Sequence, residues 1–313
     1  MNIIFMGTPW FAVPTLEYLL LNGYDIAAVY TQPDRESGRG RSVVASPVKK
    51  KAMEYGLPVE QPGNFREEAA IDRLAAYKPD YILIYSYGQI LPRTVIDIPS
   101  RDCLAIHPSL LPRHRGAAPV VSAILSGDEF TGTTLMQVAL KVDSGDILGQ
   151  VQIPITDYDT TGILTGKLAL ISVQMVLDVL PRLMKNEVTP RRQDHSLSSY
   201  FGQMSKQDGE IDWNMPAVDI WRRARAYNPW PGCYTRWNGK QLKILKAEPV
   251  TVEEDTPPGR VIKLPDKHVL GISTGDGVLA VSEVQLEGKK AVPAKDFIQG
   301  QREFIGARLP TGS

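Results

Sequence analysis

The first thirty residues constrain the fold more than any other part of the chain. Asn2–Met6 is an apolar strand, Gly7-Thr-Pro9 is a turn, and Trp10–Leu21 carries Phe11, Leu16, Leu19 and Leu20 at helical spacing. Gly23 closes that helix, and Ile26–Tyr30 is a second apolar strand. A helix between two strands without polar alternation predicts a parallel, doubly wound sheet buried on both faces. G-x-G-x-x-G is absent, so Gly7 alone does not specify a dinucleotide; it reads equally as a tight turn or as a ligand-facing position.

The same alternation continues. Pro47–Tyr55 and Glu67–Tyr77 read as helices and Ile90–Ile96 as a helical turn, with Leu57–Pro62 a short strand between the first two. Tyr81–Tyr85 is a buried-type strand that runs into Ser86-Tyr87-Gly88-Gln89, where a glycine at a strand end suits either a simple turn or close approach to a ligand. Cys103–Ile106, Thr133–Val138 and Gln150–Ile155 are further strands. Thr161–Leu183 is a long amphipathic helix with Leu164, Leu168, Ile171, Met175 and Leu180 on its buried face.

Within this frame, Ala105–Pro119 carries the densest chemistry. His107 closes a strand and is followed by Ser109, Leu110, Leu111, Pro112, the basic run Arg113-His114-Arg115, Gly116, and a helix start at Ala117–Leu125. Open α/β sheets place chemistry at strand carboxyl ends, yet a single histidine there is as readily a hydrogen-bonded structural residue. Asp143 and Asp146 flank Gly145 in a later loop. One of them could orient His107, and both are also ordinary turn residues.

At 313 residues the chain predicts two domains. Asn186–Tyr200 has little apolar periodicity and reads as the linker. The boundaries expected are 1–188 for the first domain, 189–205 for the linker and 206–313 for the second. Beyond the linker come a strand at Ile211–Trp213, a helix at Ala217–Tyr227, a rigid Asn228-Pro-Trp-Pro-Gly232 corner, and Cys233–Trp237 paired with Gln241–Glu248 across Asn238-Gly239. Gly259–Lys263, Val269–Ser273 and Gly277–Glu287 continue as short strands, which predicts a small OB-like β-barrel.

Lys+Arg and Asp+Glu balance at 35 each, which excludes a generic polyanion binder and leaves nucleic-acid contact to local patches. The second domain, 206–313, is itself nearly neutral, with 16 basic and 14 acidic residues. The exception is Thr31–Val48, read as a long polar loop. From Arg35 to Lys51 there are six Lys/Arg, including Arg39 and Arg41, against Glu36 alone, a local net charge of +5. That run reads either as a solvated loop or as a finger for a phosphate backbone. Cys103 and Cys233 lie far apart in apolar settings and are read as reduced structural thiols. With no charged leader and no long apolar run, the expectation is a cytoplasmic protein of bacterial type without a membrane partner, and nothing suggests assembly beyond a monomer.

Five stretches together resemble the methionyl-tRNA formyltransferases, a branch of the folate-dependent formyltransferase family. They are T-Q-P-D-R with G-R-G and S-P-V at 31–48, S-Y-G-Q-I-L-P at 86–92, H-P-S-L-L-P-R-H-R-G-A-A-P at 107–119, L-K-V-D-S-G-D-I-L at 140–148, and A-Y-N-P-W-P at 226–231. The match runs in order over nearly the whole length. It implies a Rossmann-like formyltransferase domain followed by a β-barrel domain. The implied reaction is transfer of a formyl group from 10-formyltetrahydrofolate to the α-amine of methionine on initiator tRNA, with no metal.

By the resemblance, His107 would stabilise the developing oxyanion and share in proton transfer, with Asp143 orienting it or accepting its proton. Folate would lie along Tyr87, Gly88, Gln89, Ile90 and Leu91, held largely by backbone groups, with Ser109, Leu110, Leu111 and Pro112 shaping the pocket. Arg35, Arg39 and Arg41 would meet the tRNA, and the linker and barrel would hold its acceptor arm. The sequence departs from the family at one site position. The family's asparagine two residues before the histidine is Ala105 here, and no Asn lies between Asn64 and Asn186. Loss of one such donor costs on the order of 10²–10³ in rate, so lowered turnover is expected. The alternatives are a sugar-nucleotide N-formyltransferase, which has no use for a G-R-G finger, and a non-catalytic folate- or tRNA-binding protein, which Ala105 would permit.

Overall fold

A computed structural model describes residues 1–37, 42–252, 256–265 and 269–311. The chain divides into two compact units. One comprises 1–119, 130–154 and 165–201; the other comprises 120–129, 155–164 and the residues from 202 onward.

The first unit is built on strands β1 (Asn2–Gly7), β2 (Asp25–Tyr30), β5 (Val59–Glu60), β6 (Tyr81–Tyr85), β7 (Asp102–His107), β9 (Phe130–Gln137) and β10 (Ile147–Pro154). Between these fall a hairpin of β3 (Arg35–Ser37) with β4 (Ser42–Val44), the short β8 (Arg115–Gly116), and later β11 (Tyr200–Phe201). Its helices are α1 (Val13–Leu21), α2 (Pro47–Glu54), α3 (Glu68–Ala76) and α4 (Arg93–Ile96); α5 (Pro119–Leu125) passes into the second unit after its first residue, and α6 (Thr161–Met184) begins in the second unit and continues into the first.

The sheet order is β10-β9-β7-β6-β1-β2-β5. The five strands from β7 to β5 are parallel, and β9 and β10 join antiparallel at the β7 edge. Strand residues alternate between two cores. Ile3, Phe5, Leu83 and Leu104 face one that α6 completes with Met175, Val176, Val179 and Leu180. Ile4, Met6, Ile82 and Cys103 face the other. This two-faced burial is why the strands read as continuous apolar runs. Helix α6 is long and apolar enough to cross a membrane by length and composition, and its apolar face is spent on the sheet core, with Ile171 half-buried.

Local signals explain the helix ends. Ser46 caps α2 by accepting from the Lys49 amide at 3.0 Å, Pro47 sits at the first turn, and Gly56 follows at φ +67°. After α1 the Tyr24 amide reaches back to the Leu19 carbonyl across Gly23 at φ +76°, a Schellman-type end.

Two sequence expectations change. Residues 31–48 are not all loop: Arg35 pairs with Val44 and Ser37 with Ser42, because the β-branched Val43 and Val44 favour extended backbone. The basic run is also partly neutralised. Lys49 meets Asp34 at 2.6 Å, and Lys51 meets Glu17 at 3.2 Å and Glu54 at 2.8 Å. Secondly, Ile211–Trp213 is not a strand. A single bridge joins Glu210 to Tyr234, after which the Asp212 carboxylate accepts from the Asn214 amide and turns the chain.

In the second unit, α7 (Ala217–Ala226) packs on an antiparallel sheet of β12 (Cys233–Trp237), β13 (Lys240–Val250), β14 (Val261–Ile262), β15 (Gly271–Ser273), β16 (Val278–Leu286) and β17 (Val292–Pro293). The β12–β13 hairpin turns at Asn238 (φ +47°) and Gly239 (φ +72°), the primed turn that an Asn-Gly pair specifies. Helix α8 (Ala294–Gly300) follows, and Trp237, Phe297 and Phe304 meet edge to face with centroids 5.1–5.9 Å apart.

Candidate active site

The chain moves from the β1-β2-β5 side of the sheet to the β6-β7 side, so the topological switch lies between β1 and β6. Their carboxyl ends form the crevice in which open α/β sheets bind ligands. Beyond β6, Ser86 (φ +55°) and Gly88 (φ +88°) bend the backbone, and the Tyr87 carbonyl accepts from Thr8 Oγ1 at 2.9 Å. The Tyr87 ring turns into the core, 1% exposed and 6.3 Å from Phe65, and burial pushes its hydroxyl well above the usual phenol range. Gln89 Nε2 donates to the Pro62 and Gly63 carbonyls, leaving its buried Oε1 without a partner among the described residues. Ile90 is exposed and Leu91 buried. What this stretch offers a ligand is therefore main chain, the Gln89 oxygen and the Ile90 side chain.

His107 is the last residue of β7 and is 6% exposed. The loop beyond it folds back on its own backbone. Ser109 Oγ donates to the Arg113 carbonyl at 2.8 Å, and His114, at φ +56°, points its carbonyl at His107 Nε2 at 2.8 Å. Ser109 and Leu111 are buried, Leu111 against Met136, Ile147 and Ala105. Leu110 is half-buried beside Gly132, and Pro112, half-buried, follows a cis peptide. Serine and leucine here shape the loop from within.

Gly116 then takes φ +100°, where a Cβ would overlap the Phe201 carbonyl oxygen, and its amide donates to Asp143 Oδ2 at 2.8 Å. Asp143 itself sits at φ +51°, in the left-handed region that Asp tolerates better than most residues. A Cβ on Gly145 would run into the Gln137 carbonyl, which accounts for the glycine. Asp143 Oδ2 stands 3.6 Å from His107 Nδ1.

The hydrogen bonding fixes the ring's chemistry. A carbonyl only accepts, so His107 Nε2 carries a proton. The Nδ1 edge then bears a lone pair in the neutral ring and a proton only in the charged ring. That edge faces the Asp143 carboxylate, so the ring and the acid address the same space.

Ala105, one side-chain alternation before His107, lies against apolar Met136 and Leu111 and supplies no donor. Arg35 is exposed and donates to Gln32 Oε1 at 3.0 Å; Arg39 and Arg41 lie outside the described residues. Asp146 contributes its carbonyl to the Gln137 amide, so of the two candidate acids Asp143 is the one that reaches His107.

Sequence reasoning did not single out Arg115 or Gln193. Arg115 is fully buried, donating to Gln193 Oε1 (2.6 Å from Nη2), the Tyr200 hydroxyl (2.9 Å) and His195 Nδ1 (2.9 Å). The guanidinium holds the Tyr200 hydroxyl below the usual phenol range. No periodicity marks these residues, because Arg115 lies in a strand only two residues long and Gln193 in an irregular segment.

The second unit has its own groove of about 900 Å³, between the 157–163 segment, α7 and β13. Arg225 stacks 3.9 Å from the Trp221 ring on its wall, and Asp157, Lys246 and Glu248 give it both signs of charge.

Residues 1–180 match the formyl transferase family, and residues 203–302 match the formyl transferase C-terminal domain. The chain is 44% identical over 312 residues to a methionyl-tRNA formyltransferase of Dehalococcoides mccartyi, covering 99% of this chain and 98% of that one. It is 43% identical over 311 residues to a methionyl-tRNA formyltransferase of Methylococcus capsulatus, covering 99% and 100%. Among solved structures, its fold is similar to WlaRD, a sugar 3N-formyl transferase (TM-score 0.67, 19% identity, 93% of this chain and 99% of that one). It is also similar to HypX from Aquifex aeolicus in complex with tetrahydrofolic acid (TM-score 0.63, 19% identity, 97% of this chain and 48% of that one).

Proposed function

This chain belongs to the formyl transferase family, and from that premise we propose that it moves a formyl group from 10-formyltetrahydrofolate to the α-amino group of methionyl initiator tRNA. The single observation that carries the reading is the His107–Asp143 pair at the carboxyl end of β7, a buried strand-end histidine facing a half-buried loop aspartate. The methionyl-tRNA relatives, similar over both units, favour the tRNA acceptor over a sugar nucleotide.

In this reading the neutral amine attacks the formyl carbon and a C–N bond forms. His107 stabilises the oxygen that becomes negative and shares in the proton transfer. Asp143 accepts the proton that the attacking nitrogen loses. The bond to folate N10 then breaks, N10 takes up a proton, and tetrahydrofolate and formyl-methionyl-tRNA leave. Folate is held by the 86–91 main chain and Gln89 Oε1, a buried oxygen suited to a pterin donor. Ala105 leaves the formyl oxygen without an amide donor, which lowers turnover. Residues 1–188 carry the chemistry, the linker 189–205 and the domain 206–313 hold the tRNA acceptor arm, and Arg35, Arg39 and Arg41 meet its phosphates.

The test is formylation of charged initiator tRNA with 10-formyltetrahydrofolate, beside a gel shift with the same tRNA. Product formation and a shifted band support the reading. Folate binding without tRNA binding would replace it with a small-molecule acceptor.

A further inference from the structure

The stretch 191–201 is hydrogen-bonded along its length to the loops that carry His107 and Asp143. Arg191 exchanges backbone bonds with Ile147 at 2.8 and 2.9 Å. Ser199 accepts from the His114 amide through its side chain and from the Arg115 amide through its carbonyl. Tyr200–Phe201 pairs in parallel with Arg115–Gly116.

At the centre is Gln193, 6% exposed. Its Nε2 donates to both the Asp143 carbonyl (2.9 Å) and the Gly145 carbonyl (2.7 Å), and its Oε1 accepts from Arg115. One carboxamide thus ties the backbone of the acid to a buried cation in the loop that follows the histidine.

We propose that Gln193 is a positioning residue: its carboxamide holds the Asp143 loop where the carboxylate faces His107 Nδ1. Among the described residues, the other polar contacts of Asp143 are those of its carboxylate with Gly116 and His107. Its carboxylate accepts from Gly116, and its left-handed backbone is strained, so the loop relaxes when the two donations are removed. Displacement of about 1 Å at a reacting group costs up to ~10²-fold in rate. The kinetic part of this inference rests on the formyl-transfer reading above.

Gln193→Glu separates the two ends of the side chain. It keeps, and charges, the partner of Arg115, but turns both donations into oxygen facing oxygen. Gln193→Met removes the amide at similar volume. Both variants should lower kcat ~10- to 100-fold, with KM for folate and tRNA within about twofold. In an Asp143→Asn background, Gln193→Glu should cost nothing further, because the two act as one unit.

A second readout needs no turnover. The Gly116 amide, bonded to the Asp143 carboxylate, should exchange with solvent at least ~10-fold faster in either Gln193 variant. Additive losses in the double variant, or unchanged Gly116 exchange, overturn the inference. If the parent enzyme forms no formyl-methionyl-tRNA, the functional reading fails on its own, and Gly116 exchange alone decides the role of Gln193.

Discussion

His107 Nδ1 and Asp143 Oδ2 stand 3.6 Å apart, just beyond hydrogen-bond range, with the histidine's other nitrogen fixed on the His114 carbonyl and the aspartate's oxygen on the Gly116 amide. Both side chains are thus anchored by the same loop, 107–116, and their separation is a property of that loop and of the Asp143 turn. The chemistry depends on this spacing, and the predictions follow from it and from the loops around it.

Asp143→Asn keeps the acceptor for the Gly116 amide and removes the proton acceptor. It should lower kcat by ~10²–10⁴-fold, the usual range for a lost acid–base group, with little change in folate KM. Steady-state kinetics on charged initiator tRNA check this. A loss confined to KM would show Asp143 to be a binding group.

Ala105→Asn restores an amide donor on the His107 side of β7. Formyl transfer should rise by about two orders of magnitude if that donor is what the site lacks. A rate unchanged from the parent, with the variant folded, would mean that another group already stabilises the oxygen.

Arg39→Ala should weaken productive use of tRNA and leave folate binding intact. The salt dependence of tRNA affinity should fall by about one unit in slope if Arg39 meets a phosphate. Gel shifts at two salt concentrations, beside folate titration by fluorescence, separate these effects. Equal damage to both ligands would assign the loop a structural role.

The base of the same loop predicts a pH effect. Hydrogen bonds from Lys49 and Gln61 hold the Asp34 carboxyl below its usual range. A depressed folded-state value gives stability that is fully present above the unfolded value, ~3.9, and is lost as pH falls through the folded one. Asp34→Asn should therefore lower the Tm at pH 7, and the difference from the parent should shrink as the pH drops below about 4. Thermal melts of both proteins from pH 7 to pH 3 read this directly. A Tm difference that stays constant with pH would mean the contact is not electrostatic.

The sequence by itself determined the doubly wound frame, the long α6, the Asn-Gly hairpin and the place of His107 at a strand end. Each of these is written in local periodicity, capping or turn chemistry, which neighbouring residues carry together. The tertiary structure alone decided that Asp143, rather than Asp146, turns its carboxylate to the ring. It also showed that Tyr87 and Ser109 face inward, that Arg35–Ser37 pairs with Ser42–Val44, and that Gln193 and Arg115 tie the two loops together. The ties among Asp143, Gln193 and Arg115 are single side-chain hydrogen bonds between segments far apart in the chain. Such bonds depend on where the sheet brings the loops, and no repeat along the sequence records them.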